Sequence, residues 1–139
     1  RLPASESVLF EGEVDDELSV LIIPRGTREV EIDADSFSLN SHLFERSLAS
    51  LTNGSVLDAL SSNGMAVASS TDDFEALRTC NLAIASGALA AGLSGSGPAI
   101  AVVCYAVDVE NIRNRMEENG LQVIETSFAI SEFPKEEVR

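Results

Sequence analysis

A glycine-rich segment, Gly92-Leu93-Ser94-Gly95-Ser96-Gly97-Pro98, separates two almost wholly apolar stretches and limits the folds open to this 139-residue chain. Before it, Phe74, Leu77, Asn81, Ile84, Ala88 and Ala91 recur at helical spacing behind a cap at Asp72 or Asp73. From Leu82 onward that helix is nearly all small or apolar, which predicts burial on most sides. After it, Ala99 to Ala106 reads as a central strand covered on both faces. The expected order is helix, loop, strand. A dinucleotide-binding fingerprint leaves a strand and opens a helix, and a Walker loop needs a Lys-Ser/Thr pair, so neither fits. At a helix carboxy-terminus the macrodipole disfavours phosphate. The segment therefore binds an anion through inward-turned loop amides, or it is a tight turn that needs glycine for positive φ.

The remaining elements follow from periodicity. Leu18 to Pro24 is a short buried strand stopped by proline, and Val30-Glu31-Ile32 is a brief extended piece. Asp35 caps a helix to about residue 50, with Phe37, Phe44, Leu48 and Leu51 on one stripe, closed by Asn53-Gly54. A second helix runs from Ser55 to about Ser70, with Val56, Leu60 and Val67 sharing a face. Asp108 caps a fourth, in which Val109, Ile112 and Met116 are buried, and Gly120 ends it with Leu121 folding back on Met116. Val123 to Ser131 alternates, with Ile124, Phe128 and Ile130 on one face. Helices grouped between non-adjacent strands predict an α+β two-layer sandwich, a mainly antiparallel sheet with helices on one face.

Composition excludes several functions. A net charge of −14, from 23 acidic and 9 basic residues, leaves no basic surface for nucleic acid. Such acidity suits either a halophile's solvated surface or ordinary solubility. No apolar run is long enough to cross a bilayer, and the opening residues lack the apolar core of a signal peptide, so the expected compartment is the cytoplasm. Cys80 and Cys104 lack metal-ligand spacing and read as buried thiols. His42 has no nucleophile patterned with it, and the acid clusters lack calcium-loop spacing, so no metal site is expected. Arg25 and Arg28 follow the first strand, either as a solvated pair or within reach of an anion. Asn63-Gly64 falls within helical turns, and Asn63 is either a satisfied core amide or a substrate contact.

Ala88 to Ala99, running into an apolar strand, resembles the third conserved motif of the GHMP kinases. The helix ending Ala85-Ser-Gly-Ala-Leu-Ala-Ala-Gly92 is most similar to the archaeal-type shikimate kinase branch, and Ser62-Asn63-Gly64-Met65 is similar to its Leu-Asn-Gly segment, with Ser62 in place of leucine. The resemblance implies a ferredoxin-like carboxy-terminal domain over 18–139, with 1–17 continuing from an amino-terminal domain outside this chain. It implies ATP, Mg2+ and shikimate as ligands of the intact enzyme. Ser94, Gly95, Ser96 and Gly97 would border the nucleotide phosphates, and Asn63 and Gly64 the acceptor. The family's Ser-rich phosphate loop and its acidic catalytic residue are absent, and Lys135, the only lysine, lies in the tail. The chain alone is therefore expected to be inactive, with no catalytic residue of its own. Homoserine- or mevalonate-type acceptors, or a stand-alone non-catalytic ligand-binding or assembly module with a ferredoxin-like core, are the alternative readings.

Overall fold

The computed structural model describes residues 17–26, 34–94 and 98–128. Four strands form one antiparallel sheet: β1 (Leu18–Ile23), β2 (Ala90–Leu93), β3 (Ile100–Tyr105) and β4 (Ile124–Thr126), in the order β2-β3-β1-β4. Five helices accompany them: α1 (Ala34–Leu39), α2 (Ser41–Thr52), α3 (Val56–Ser70), α4 (Phe74–Ala85) and α5 (Val109–Glu118). Helices after β1, a β2-β3 hairpin, then α5 and β4 make the ferredoxin-like arrangement. Val30-Glu31-Ile32 lies outside the described residues.

The sheet shows which face carries the core. Leu21 and Ile23 on β1, and Ile100, Val102 and Cys104 on β3, alternate onto one side and pack with Val67 and Ala68 of α3, Ala76 and Ala83 of α4, and Ile112 and Met116 of α5. β3 pairs with both β1 and β2, Leu21 facing Val102 and Ala91 facing the same valine. Being central, it buries residues on both faces, Val103 included.

Three expectations about the elements change. The helix expected from Asp35 is two helices, because the Asn40 side chain donates to the Ser36 carbonyl at 2.8 Å while its backbone N–H reaches Ser36 and Phe37. A side chain that competes for a helical carbonyl in this way opens the ladder. The helix expected to run to Ala91 stops at Ala85: Gly87 has φ +115°, its N–H donates to the Ile84 carbonyl, and Ala88 N–H reaches back to Ala83. That is a Schellman end, and it frees Ala90-Ala91-Gly92-Leu93 to become β2, buried throughout. The third change is β4, which covers only Ile124–Thr126 at the sheet edge, with Ile124 47% and Phe128 37% exposed instead of lining a buried face; Ile130 lies outside the described residues.

The helical faces shift as well. In α4 the buried residues are Ala76, Thr79 and Ala83, whereas Phe74, Asn81 and Ile84 are exposed. In α2 no residue is fully buried; Phe44 is packed against the core and stacks on Phe37 at 5.5 Å, but Leu48 is exposed. In α3 Val67 is buried, but Val56 lies open. By contrast α5 is as expected, burying Val109, Ile112 and Met116 and ending at Gly120 (φ +78°) with Leu121 N–H bonded to the Met116 carbonyl at 3.1 Å.

Two contacts set where the β2-β3 hairpin lies. The first is between backbones. A Cβ built on Gly64 of α3 would fall on the Gly92 Cα and 2.9 Å from the Leu93 nitrogen, and one built on Gly92 would fall 2.7 Å from the Leu60 carbonyl oxygen. Helix and strand thus touch without side chains between them, and Ser61 Oγ accepts the outward Ala91 N–H at 3.2 Å. This covers the free edge of β2.

The second contact is ionic. Arg25, just after β1, donates from Nη1 and Nη2 to the two carboxylate oxygens of Asp73 at 2.9 and 2.5 Å, and from Nε to the Pro98 carbonyl. Asp73 is also the cap of α4, accepting the Ala76 N–H at 3.1 Å. The side chains are only 10% and 19% exposed. The bond to Arg25 holds the Asp73 carboxyl below its ordinary range, against burial, and the same bond raises the Arg25 guanidinium.

Gly64→Ala and Gly92→Ala should each cost about 3 kcal/mol in urea unfolding, because the added methyl meets backbone that cannot step aside. Gly120→Ala, which meets open space and has only its left-handed φ against it, should cost about 1 kcal/mol. Asp73→Asn should lower stability by about 2 kcal/mol at neutral pH, less than a fully dry pair because the site is partly wet. A carboxyl with a depressed pKa stabilises at pH above its unfolded value, and that stabilisation is lost as pH falls through its folded one. The gap between wild type and Asp73→Asn should therefore hold above about pH 5 and close in acid. An unchanged gap down to pH 2 would rule out the ion pair as its source.

Candidate functional site

The glycine-rich segment is the bend of a hairpin and not, as expected, a helix-to-strand turn. Leu93 pairs with Ile100, and Ser94 N–H donates to the Ala99 carbonyl at 2.8 Å. Gly95, Ser96 and Gly97 lie outside the described residues. Since a strand leads into the segment, the unfavourable carboxy-terminal dipole expected beside it does not apply. Ser94 is exposed, and Pro98 is tied through Arg25 to the first turn of α4. The hairpin bend, the end of β1 and the amino-terminus of α4 therefore meet at one end of the sheet.

Arg25 had two readings, solvated or available to an anion. The structure supports neither: its three donor nitrogens are engaged, and Glu75 lies a further 3.9 Å away. It holds the bend in place and is not a free phosphate clamp. Spacing could not reveal this, because Asp73 is 48 residues distant along the chain. Arg28 lies outside the described residues.

Gly64 is buried against β2, so its lack of a side chain is explained by packing; Asn63 beside it is half-buried. The opposite arc of α3 faces α2 across an open pocket of about 340 Å³. Leu43 and Met65 form its apolar walls, and Arg46, Ser50, Asp58, Ser61 and Ser62 supply its polar groups. Successive helical residues turn by about 100°, which places Asn63 well away from Ser61 and Met65 and out of the pocket. Sequence reasoning missed this pocket, because its residues come from two helices and form no motif.

Both cysteines are free. Cys104 is fully buried, and burial pushes the Cys80 thiol up to about 11, so neither is a nucleophile near neutral pH. Among the described residues no group of three His, Cys, Asp or Glu is placed to hold a metal ion, and no helix is long and apolar enough to cross a membrane.

Residues 73–122 match the family model described as GHMP kinases C terminal. That span runs from the cap of α4 through β2, the hairpin bend and β3 to the turn after α5. Among solved structures, a phosphotransferase related to the CoA biosynthesis pathway superposes with a TM-score of 0.70 at 11% identity, over 87% of this chain and 41% of that one. A putative homoserine kinase from Listeria monocytogenes gives 0.51 at 13% identity, over 89% and 46%. Mevalonate pyrophosphate decarboxylase from Streptococcus pyogenes gives 0.51 at 11%, over 88% and 49%. The chain thus spans less than half the length of each, and identities this low speak for the fold alone. Residues 73–122, from the cap of α4 to the turn after α5, thus resemble a GHMP kinase carboxy-terminal segment, and the α+β fold is one these solved structures share.

Proposed function

We propose that this chain is the carboxy-terminal half of an ATP-dependent kinase that transfers the γ-phosphate of ATP to a hydroxyl of a small molecule, with shikimate as the acceptor. The observation that carries the reading is the match over 73–122, because that span contains the glycine-rich hairpin bend with both its ends pinned. Ser94, Gly95, Ser96 and Gly97 border the nucleotide phosphates, and α3 around Asn63 and Gly64 borders the acceptor. Phosphoryl transfer depends on holding two reactants in line and neutralising charge. This chain contributes the positioning: Arg25 and the Gly64–Gly92 contact fix the bend from two directions. The phosphate loop, the general base and most ligands of Mg2+ belong to an amino-terminal domain, the chain's partner in the whole enzyme. This accords with Arg25 being engaged. The enzyme works in the cytoplasm, without nucleic acid or membrane as partner.

Fold alone does not choose the acceptor, since the proteins that share it are named for different substrates and for a decarboxylation. A coupled assay of the full-length protein with shikimate, homoserine and mevalonate settles it; the expected result is ADP release with shikimate only. In the same protein, Gly97→Ala should remain folded and lose on the order of 100-fold in kcat/KM, as expected when a group near the phosphates is displaced. Wild-type kinetics in the folded variant would reduce the bend to a turn without a role in phosphate binding.

A further inference from the structure

Two helices build the pocket between α2 and α3, each through a single face. Leu43, Arg46 and Ser50 follow one another at helical spacing on α2, as Asp58, Ser61, Ser62 and Met65 do on α3. Only Asn53 to Ser55 separate the helices, so they run antiparallel. Ser47 Oγ, on the Ala59 carbonyl at 3.0 Å, sets their relative level. Counted from there, Leu43 and Met65 lie toward the end away from the turn, and Ser50 and Asp58 toward the turn itself. Arg46, Ser61 and Ser62 fall between them. The pocket thus has an apolar end and a charged end. Asn63 lies on a different arc of α3 and the bend lies beyond β2, so the pocket stands apart from the groups assigned to phosphoryl transfer.

Its charges decide what fits. Arg46 and Asp58 line the same pocket, yet no ion pair joins them, and in a chain of net charge −14 Arg46 makes none with any described residue. Asp58 accepts the Ser55 hydroxyl with Oδ2 at 2.6 Å, which leaves its other oxygen for a donor in the pocket. A simple anion held by Arg46 meets repulsion from Asp58, and a simple cation held by Asp58 meets repulsion from Arg46. A ligand that carries both charges pairs each of them. The guanidinium matches a carboxylate through paired N–H bonds, and a carboxylate suits the three donors of an ammonium. Ser61 Oγ accepts from Ala91 N–H, so its own proton is left to donate. Leu43 and Met65 offer apolar surface at the other end. A volume of about 340 Å³ is at the small end for ligand pockets, enough for an amino acid and not for a nucleotide.

We propose that this pocket is a binding site, separate from phosphoryl transfer, for an α-amino acid with an apolar side chain. Arg46 takes the carboxylate, Asp58 the ammonium, and Leu43 and Met65 the side chain. The assignment does not depend on the kinase reading, because its test measures binding and not turnover. Isotope-labelled full-length protein is titrated with L-leucine and L-phenylalanine while the amide shifts of Ser50, Ser61 and Ser62 are followed. At least one of the two should shift these amides to saturation. Its matching amine, without the carboxylate, and its matching acid, without the ammonium, should each bind about fivefold more weakly, the worth of a partly exposed ion pair. Arg46→Met should weaken the amino acid by the same factor without weakening the amine. Asp58→Asn, which keeps an acceptor for Ser55, should do so without weakening the acid. Shikimate and ATP should leave the shifts in place. The site is overturned if neither amino acid gives saturable shifts, if the analogues bind as well as the amino acid, or if either variant binds it unchanged. Competitive displacement by shikimate would overturn it too. Arg46 is exposed and unpaired, so its variant should fold. If it does not, the amine and acid comparison on wild type decides alone, because it removes the same charges from the ligand side.

Discussion

Arg25 joins parts of the chain that share no local interaction. Through Asp73 it is attached to the first turn of α4, through Pro98 to the far side of the hairpin bend, and through its own backbone to the end of β1. Each of these needs the others. The Asp73 carboxylate that caps α4 is held in place and ionised by Arg25. The Pro98 carbonyl would otherwise face an acidic protein without a donor. A lysine could satisfy one of these acceptors, but three at once need the fixed fork of a guanidinium.

The Gly64–Gly92 contact holds the hairpin separately from that clamp. Side chains normally hold a helix about 10 Å from a sheet, and removing them at one crossing brings α3 close enough for Ser61 to accept a β2 backbone N–H. An edge strand of Ala-Ala-Gly-Leu has little side-chain surface with which to hold itself in a sheet. It stays a strand because β3 pairs it on one side and α3 covers it on the other.

The same facts show where the sequence was readable. Two helices end in the same Schellman geometry, at Gly87 and Gly120. The second was evident because charged residues precede it and the apolar stripe stops there. The first was hidden because apolar residues continue past it: alanine favours a helix, and Leu82 to Ala91 keeps helical spacing on both sides of the glycine. Pairing with β3 overrode propensity, which is a tertiary effect no local window contains. The face of α4 went astray for a related reason. Its large residues, Phe74 and Ile84, look like a core stripe, but the face turned to the core is the one with Ala76, Thr79 and Ala83. The central strand, α5 and the sandwich itself were legible because their apolar patterns agree with their burial. The Arg25 clamp and the α2-α3 pocket were not, since each is assembled from residues far apart in sequence.

The 73–122 span and the helices α2 and α3 are held in different ways. The span that matches the family, 73–122, holds the α4 cap, the bend and the two strands that carry it. Its described part is tied to Arg25 at the α4 cap and at Pro98, and to the core through β2, β3 and α5. The helices α2 and α3 are attached differently. No residue of α2 is fully buried, and it meets α3 through contacts such as Ser47 Oγ to the Ala59 carbonyl at 3.0 Å. Changes on the outer face of α2 leave the sheet as it is, whereas α3 meets the sheet at Gly64 and Ser61 and enters the core with Val67 and Ala68. The hairpin is thus held by the sheet, by the core and by Arg25, while α2 is held by partly buried contacts alone.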